Sequence, residues 1–315
     1  MKKNRQDKTP SKLQPVRTIL VCLDLTDIDT SLIRYAGFLA QTWQIGKMVF
    51  FHVIQAYDLP DKSDKKFPDL ETELKRIISD QMQATVDRHF ENGCHWEVVI
   101  RVGYEDAAGE VISYIKENAI DLVLLGQKYG ENREARYSRK IGAESEADIL
   151  FVPQEAEKSS GPVICAVDFS QASGKAFERG LDVSRSWRTR LICYGISDPT
   201  RSYFPATTTR SSSLYQEKSR RACRDFLKQY HLSLDQVPCL IEKDGRISNE
   251  AKNIYEAAVR EKAGLIVVGA RGDTTNVTSL LGNLCETFRL MEKEIPVLIV
   301  KQASRRKFPW FWKSS

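Results

Sequence analysis

Three glycines in the last third of the chain, Gly269, Gly272 and Gly282, follow the apolar run "GLIVVG" with two residues between the first pair and nine between the second. Glycine lacks a Cβ, so its backbone reaches positive φ and lets a bulky anion come close to the amides. Gly282 opens the segment "NLCETFRLME", whose apolar spacing predicts a helix. The free amides at a helix start favour a negative charge, so the spacing suits a polyphosphate. Arg271 lies between the first two glycines and belongs to the same candidate set, as does Asn283 after the third. Asp168 ends another apolar run, "PVICAV", and is the candidate polar contact on that side. A plainer reading stands beside this one: glycine commonly ends a strand because the chain must turn, and Asn283 caps a helix with no ligand present.

Other chemistry is poorly served. The motif loops hold no Ser-His-Asp arrangement and no phosphate-loop lysine, and Asp24 with Asp27 reads as a turn and a helix cap. Catalysis is not what these residues advertise; slow ATP hydrolysis is the most that is expected. The seven cysteines are odd in number, include no C-x-x-C pair and sit mostly in apolar runs, so they read as buried small hydrophobes rather than a disulfide framework. Of the four histidines only His95 adjoins a cysteine, Cys94, and adjacent residues rarely converge on one ion, so no metal is expected.

With 315 residues the chain has the length of about two domains. It holds no run of about 18 apolar residues, and its first 17 residues lack the apolar stretch of a secretory signal, so a soluble cytoplasmic protein is expected. Residues 1–17 and 301–315 each carry a net +5, which leaves the body at −5 within a total of +5. An acidic body with basic ends does not look like a nucleic-acid-binding face.

The candidate residues need strands to carry them, and an internal repeat supplies these. "TILVCLDLTDIDTSLIRYAGFLAQTW" (18–43) lies over "PVICAVDFSQASGKAFERGLDVSRSW" (162–187), with Asp24 on Asp168 and Trp43 on Trp187. Leu32, Ala36, Leu39 and Trp43 fall on Ala176, Gly180, Val183 and Trp187, a spacing that follows one face of a helix. Further apolar runs and helical patterns follow in the same order in both halves. The prediction is α/β: two tandem open parallel-sheet domains with helices on both faces. The polar stretch "QEAEKSSGP" (154–162) marks the boundary, giving domains at 17–153 and 162–301 and a basic aromatic tail at 302–315.

"VDFS" (167–170) and the G-x2-G-x9-G spacing of Gly269, Gly272 and Gly282 resemble the universal stress protein family, and the likeness covers both halves, about residues 17–301. It implies a tandem stress-response member, with ATP or another adenine nucleotide, alone or with Mg, as the ligand. In nucleotide-binding members the first-strand Asp and the main chain ending strand two hold adenine and ribose, positions that fall here on Asp168 and Ile196. The glycine motif holds the phosphates, which carries over to Gly269, Gly272, Gly282 and the next residue. That residue is Asn283, where the family pattern has Ser or Thr, so an amide would replace a hydroxyl beside the phosphate. The resemblance also implies a pseudo-twofold pairing of the two halves within one chain and leaves homodimerisation open.

The first half departs further. The distance from Gly126 to Ile149 is five residues shorter than from Gly269 to Val297. Tyr129 stands in place of Gly272, and Glu134, or Ala135 with a slip of one, in place of Gly282. The first domain is therefore expected not to bind ATP. The Ser/Thr-rich segment 197–218, with Arg201 and Arg210, reads either as a lid beside the site or as a surface connection. The tail "SRRKFPWFWKSS" interleaves cations with aromatics, which suits contact with a membrane surface, an apolar groove of the protein itself or an unknown protein partner.

Overall fold

The computed structural model describes residues 14–55, 70–91, 94–103, 106–127, 133–156, 161–169, 173–195, 209–241, 250–270 and 295–301. The first half runs β1 (Thr18–Cys22), α1 (Ile28–Thr42), β2 (Lys47–Gln55), α2 (Leu70–His89), β3 (His95–Gly103), α3 (Ala107–Glu117), β4 (Leu122–Gly126), α4 (Arg133–Glu144) and β5 (Asp148–Val152). The second runs β6 (Val163–Val167), α5 (Gly174–Ser186), β7 (Leu191–Gly195), α6 (Thr209–Lys228), β8 (Cys239–Ile241), α7 (Glu250–Arg260), β9 (Leu265–Gly269) and β10 (Val297–Val300).

The α/β expectation holds, and the two predicted sheets join. Strand order is β3-β2-β1-β4-β5-β10-β9-β6-β7-β8, one sheet of ten strands. Pairing is parallel within each half and antiparallel at the seam, where Ile149, Leu150 and Phe151 face Ile299, Leu298 and Val297. Leu150 thus sits opposite Leu298, and Ile149 and Phe151 exchange partners about that point. This is the pattern of an isologous contact, in which one patch meets its own copy.

Side chains alternate across the strands and feed two apolar layers. One lies under α1, α2, α5 and α6, the other under α3, α4 and α7, and both run unbroken through the seam. The predicted helical stripes point inward: Leu32, Ala36 and Leu39 of α1 and Ala176 and Val183 of α5 are buried. At the seam Phe38 of α1 packs against Trp187, ring centroids 5.0 Å apart.

Several helices stop where no glycine marks the end. Ala119, Arg188, His231 and Lys262 take positive φ just past α3, α5, α6 and α7. The next amide then reaches back five residues, as in Ile120 to Ile115 and Ala263 to Ala258. That is the Schellman closure, made here by residues with side chains. The Ser/Thr-rich segment also differs from its reading as a connection, because α6 begins at Thr209 inside it; residues 197–208, with Arg201, lie outside the described residues. So does the tail. Among the described residues no helix is long and apolar enough to cross a membrane.

Candidate functional site

In an open parallel sheet the loops diverge at the carboxyl ends of the strands, and a ligand sits there. In the second half three neighbouring strands, β9, β6 and β7, end side by side. Gly269 is the last residue of β9, fixed by the pairing of β9 with β10, and the Ala270 amide donates to the Val300 carbonyl at 2.8 Å. Asp168 follows β6 directly. The β6–β9 register sets Cys165 against Val267; continued, it brings Val167 level with Gly269 and Asp168 one residue beyond. The structure therefore brings Asp168 and Gly269 together at adjacent strand ends. Arg271, Gly272, Gly282, Asn283 and Ile196 lie outside the described residues; Ile196 follows Gly195, the last residue of β7.

Phe169 turns the chain after Asp168. Its φ is 59°, a left-handed value that a bulky side chain adopts only under constraint from its surroundings. The ring lies on Gly195: a Cβ there would sit 2.9 Å from the Phe169 ring edge, so only glycine leaves room. Phe226 of α6 backs the same ring at 6.0 Å. Ser173 lies buried just ahead of α5.

The first half copies the backbone and changes the contents. Leu25, the counterpart of Phe169, has φ 64°. Asp29, only 6% exposed, turns its carboxylate onto the amides at the end of β1, accepting from Asp24 N at 3.1 Å and Leu25 N at 2.8 Å. Ile28 lies on Gly126, at the end of β4, where an added Cβ would be 2.9 Å from its Cδ1. In the repeat Ile28 and Asp29 stand over Ala172 and Ser173, so an isobutyl-sized side chain and an anion replace a methyl and a hydroxyl. A carboxylate that already holds two amides repels a second anion at the same place.

Asp27 corrects the reading of the Asp24–Asp27 pair. It occupies the N-cap of α1 but with φ −58° and ψ −26°, and its side chain makes no cap hydrogen bond. An N-cap side chain reaches the N2 and N3 amides from extended backbone, which Asp27 does not have. The working carboxylate is Asp29, which sequence reading missed, although the repeat already showed an acid there with no acidic twin. Tyr129 lies outside the described residues, and for Glu134 and Ala135 only the helical backbone of α4 is described. Gln127, after Gly126, is buried with its Oε1 unpartnered. No group of three or more His, Cys, Asp or Glu that could hold a metal ion occurs among the described residues.

The Universal stress protein family matches residues 15–137 and again residues 160–301. A universal stress protein from Archaeoglobus fulgidus DSM 4304 superposes with a TM-score of 0.63 at 17% identity, covering 91% of this chain and 97% of that one. A functionally unknown protein from Pseudomonas aeruginosa PAO1 gives 0.58 at 17% identity, covering 91% and 93%. A universal stress protein solved in complex with cAMP matches at 14% identity over 45% of this chain and 100% of that one, with a TM-score of 0.34. At such identities the likeness to the first two speaks for the fold alone. No curated protein matched the chain. The family match, covering both halves and most of the chain, makes this protein a member of the universal stress protein family with two such domains in tandem.

Proposed function

We propose that this protein binds one adenine nucleotide per chain, ATP or a close relative, in its second half, and acts in a stress response as a nucleotide-dependent switch or partner-binding module. In this reading Asp168 accepts a hydrogen bond from the ribose, and the main chain at Ile196 meets the adenine. The amides at Gly269, Gly272 and Gly282 take the phosphates, with Arg271 and Asn283 donating beside them and Mg where the charge needs it. The cytoplasm, rich in such nucleotides, is the compartment this reading requires.

The observation that supports it best is the contrast between the twin strand ends. Asp29 and Ile28 fill the first site with an anion and a branched side chain, whereas the repeat puts Ser173 and Ala172 at the matching places of the second, after Asp168. Denaturing protein purified under native conditions and identifying any ATP, ADP or AMP released tests the reading. Retention should vanish when Gly272 is replaced by a bulky residue while the circular dichroism spectrum stays the same.

A second reading is a nucleotide-free scaffold, and Asn283 favours it by departing from the Ser or Thr of the family pattern. Protein that leaves cells without nucleotide and acquires none on addition of ATP supports that alternative.

A further inference from the structure

Four of the seven cysteines converge in the second half, although they are far apart in sequence. Cys165, Cys193 and Cys239 lie in one row across three neighbouring strands, since Cys165 pairs with Cys193 and Cys193 with Cys239. Registered partners on parallel strands point to the same face. Cys223 descends on that row from α6, and all four share one apolar layer. The packing of α6 against β8 brings the Cys223 thiol near those of Cys193 and Cys239, close enough for each to shift the others' ionisation.

The repeat provides an internal control. In the first half, Val21, Phe50 and Val98 occupy the places of Cys165, Cys193 and Cys239 by the same register. Ordinary hydrophobes therefore build this layer without sulfur. The fold does not require cysteine there, and the reading of these residues as mere small hydrophobes leaves the gathering of four cysteines in one layer unaccounted for.

Exposure sets the order of events. Cys193 and Cys223 are fully buried, while Cys239 lies half-buried on β8, the outermost strand of the sheet. The neighbouring S–H groups of Cys193 and Cys239 favour the thiolate of Cys223, whereas the proximity of Cys223 and burial hold the Cys239 proton well above the ordinary thiol range, with the Arg220 charge and the Gly195 backbone opposing. The proximity of Cys223 and burial push Cys193 up as well, so the first ionisation of the group centres on Cys223. A thiolate next to a reachable thiol is the arrangement of an oxidisable pair.

We propose that Cys239 and Cys223 form a reversible redox site, which a peroxide closes into a disulfide joining α6 to β8. The Cys239 sulfur attacks one peroxide oxygen as its proton passes to the Cys223 thiolate; an S–O bond forms, the O–O bond breaks, and the leaving hydroxide takes that proton back from Cys223 to become water. The Cys223 thiolate then attacks the sulfenic sulfur, the S–S bond forms, and a second water departs. Two thiols and one hydrogen peroxide thus become one disulfide and two waters, and a dithiol reductant reverses the change. A metal is the competing use of clustered thiols, but no group suited to hold an ion is found among the described residues. The proposal is independent of the nucleotide reading.

The test uses the full chain. Reduced protein is treated with a slight excess of hydrogen peroxide, quenched, denatured and titrated for thiols, then digested with trypsin without reduction. Arg221, Arg224, Lys228 and Lys243 place Cys223 and Cys239 on separate peptides, Ala222–Arg224 and Gln229–Lys243, distinct from those carrying Cys165 and Cys193. The expected result is loss of two of the seven thiols, those two peptides linked, and recovery of both thiols with dithiothreitol. Cys223→Ala should abolish the link and leave Cys239 as a sulfenic acid that dimedone captures, whereas Cys165→Ala should leave the link intact. Seven thiols surviving peroxide, a link through any other cysteine, Cys239 oxidised to sulfinic acid without a link, or purified protein whose thiols are held by an equivalent of zinc or copper would each overturn it.

Discussion

Arg179 of α5 donates through Nε to the Asp148 carboxylate at 3.1 Å, across the seam between the halves, with 10% and 8% of the two side chains exposed. The other carboxylate oxygen accepts from the Lys301 amide at 2.8 Å, and the guanidinium also reaches the Gln14 carbonyl at 3.2 Å. The pseudo-twofold does not repeat this pair: the repeat places Tyr35 over Arg179, and the seam register places Pro296 over Asp148.

Breaking one side of the pair should cost far more than removing both. Arg179→Met or Asp148→Leu alone leaves a buried charge uncompensated and should destabilise by about 3–5 kcal/mol, whereas the double variant should lose much less. Burial raises the Asp148 carboxyl above its ordinary value, outweighing the opposing pull of Arg179. The folded state therefore holds that proton more tightly than the unfolded chain. Its contribution is greatest below the ordinary carboxylate range and is lost as pH rises through the folded value. Without Arg179 the folded value rises further, so the Arg179→Met deficit should shrink on acidification from pH 7 to 5 in urea melts, and the double variant should show no such recovery.

Tyr35 carries the cost of the broken symmetry. Its hydroxyl is buried with no hydrogen-bond partner, and burial holds its proton well above the ordinary tyrosine range. An unsatisfied buried group costs about 1–3 kcal/mol. Tyr35→Phe keeps the ring, including its edge contact with Phe38 at 5.6 Å, and should raise the midpoint of chemical denaturation. A fall in that midpoint would mean the hydroxyl has a partner in solution.

In the first half, Asp29→Ala removes the acceptor for two amides and should destabilise by about 1–3 kcal/mol. Ser173→Ala, at the matching place in the second half, leaves no carboxylate missing and should cost less. Thermal melts of the two variants side by side give the comparison.

The repeat made the strands, the inward helical stripes and the matching of Asp24 with Asp168 legible, because buried strands and amphipathic helices write their period into neighbouring residues. Helix ends were legible to within a few residues, but their closure was not: Ala119 and Lys262 close α3 and α7 in the left-handed region without being glycine. The Ser/Thr-rich composition likewise concealed the start of α6 at Thr209, where local propensity is weak. Asp29 was visible in the sequence, but its hold on two amides depends on the left-handed turn at Leu25, which only coordinates reveal. The thiol cluster was hidden for another reason. Its members meet sideways across β6, β7 and β8, and lateral register leaves no trace in residue spacing.

One measurement bears most directly on the contrast between the twin strand ends: calorimetric titration of the nucleotide-stripped full chain with ATP. The account predicts one site per chain, abolished by a bulky replacement of Gly272 and retained in Asp29→Ala. No binding, two sites, or a single site lost with Asp29→Ala and kept in the Gly272 variant would contradict it.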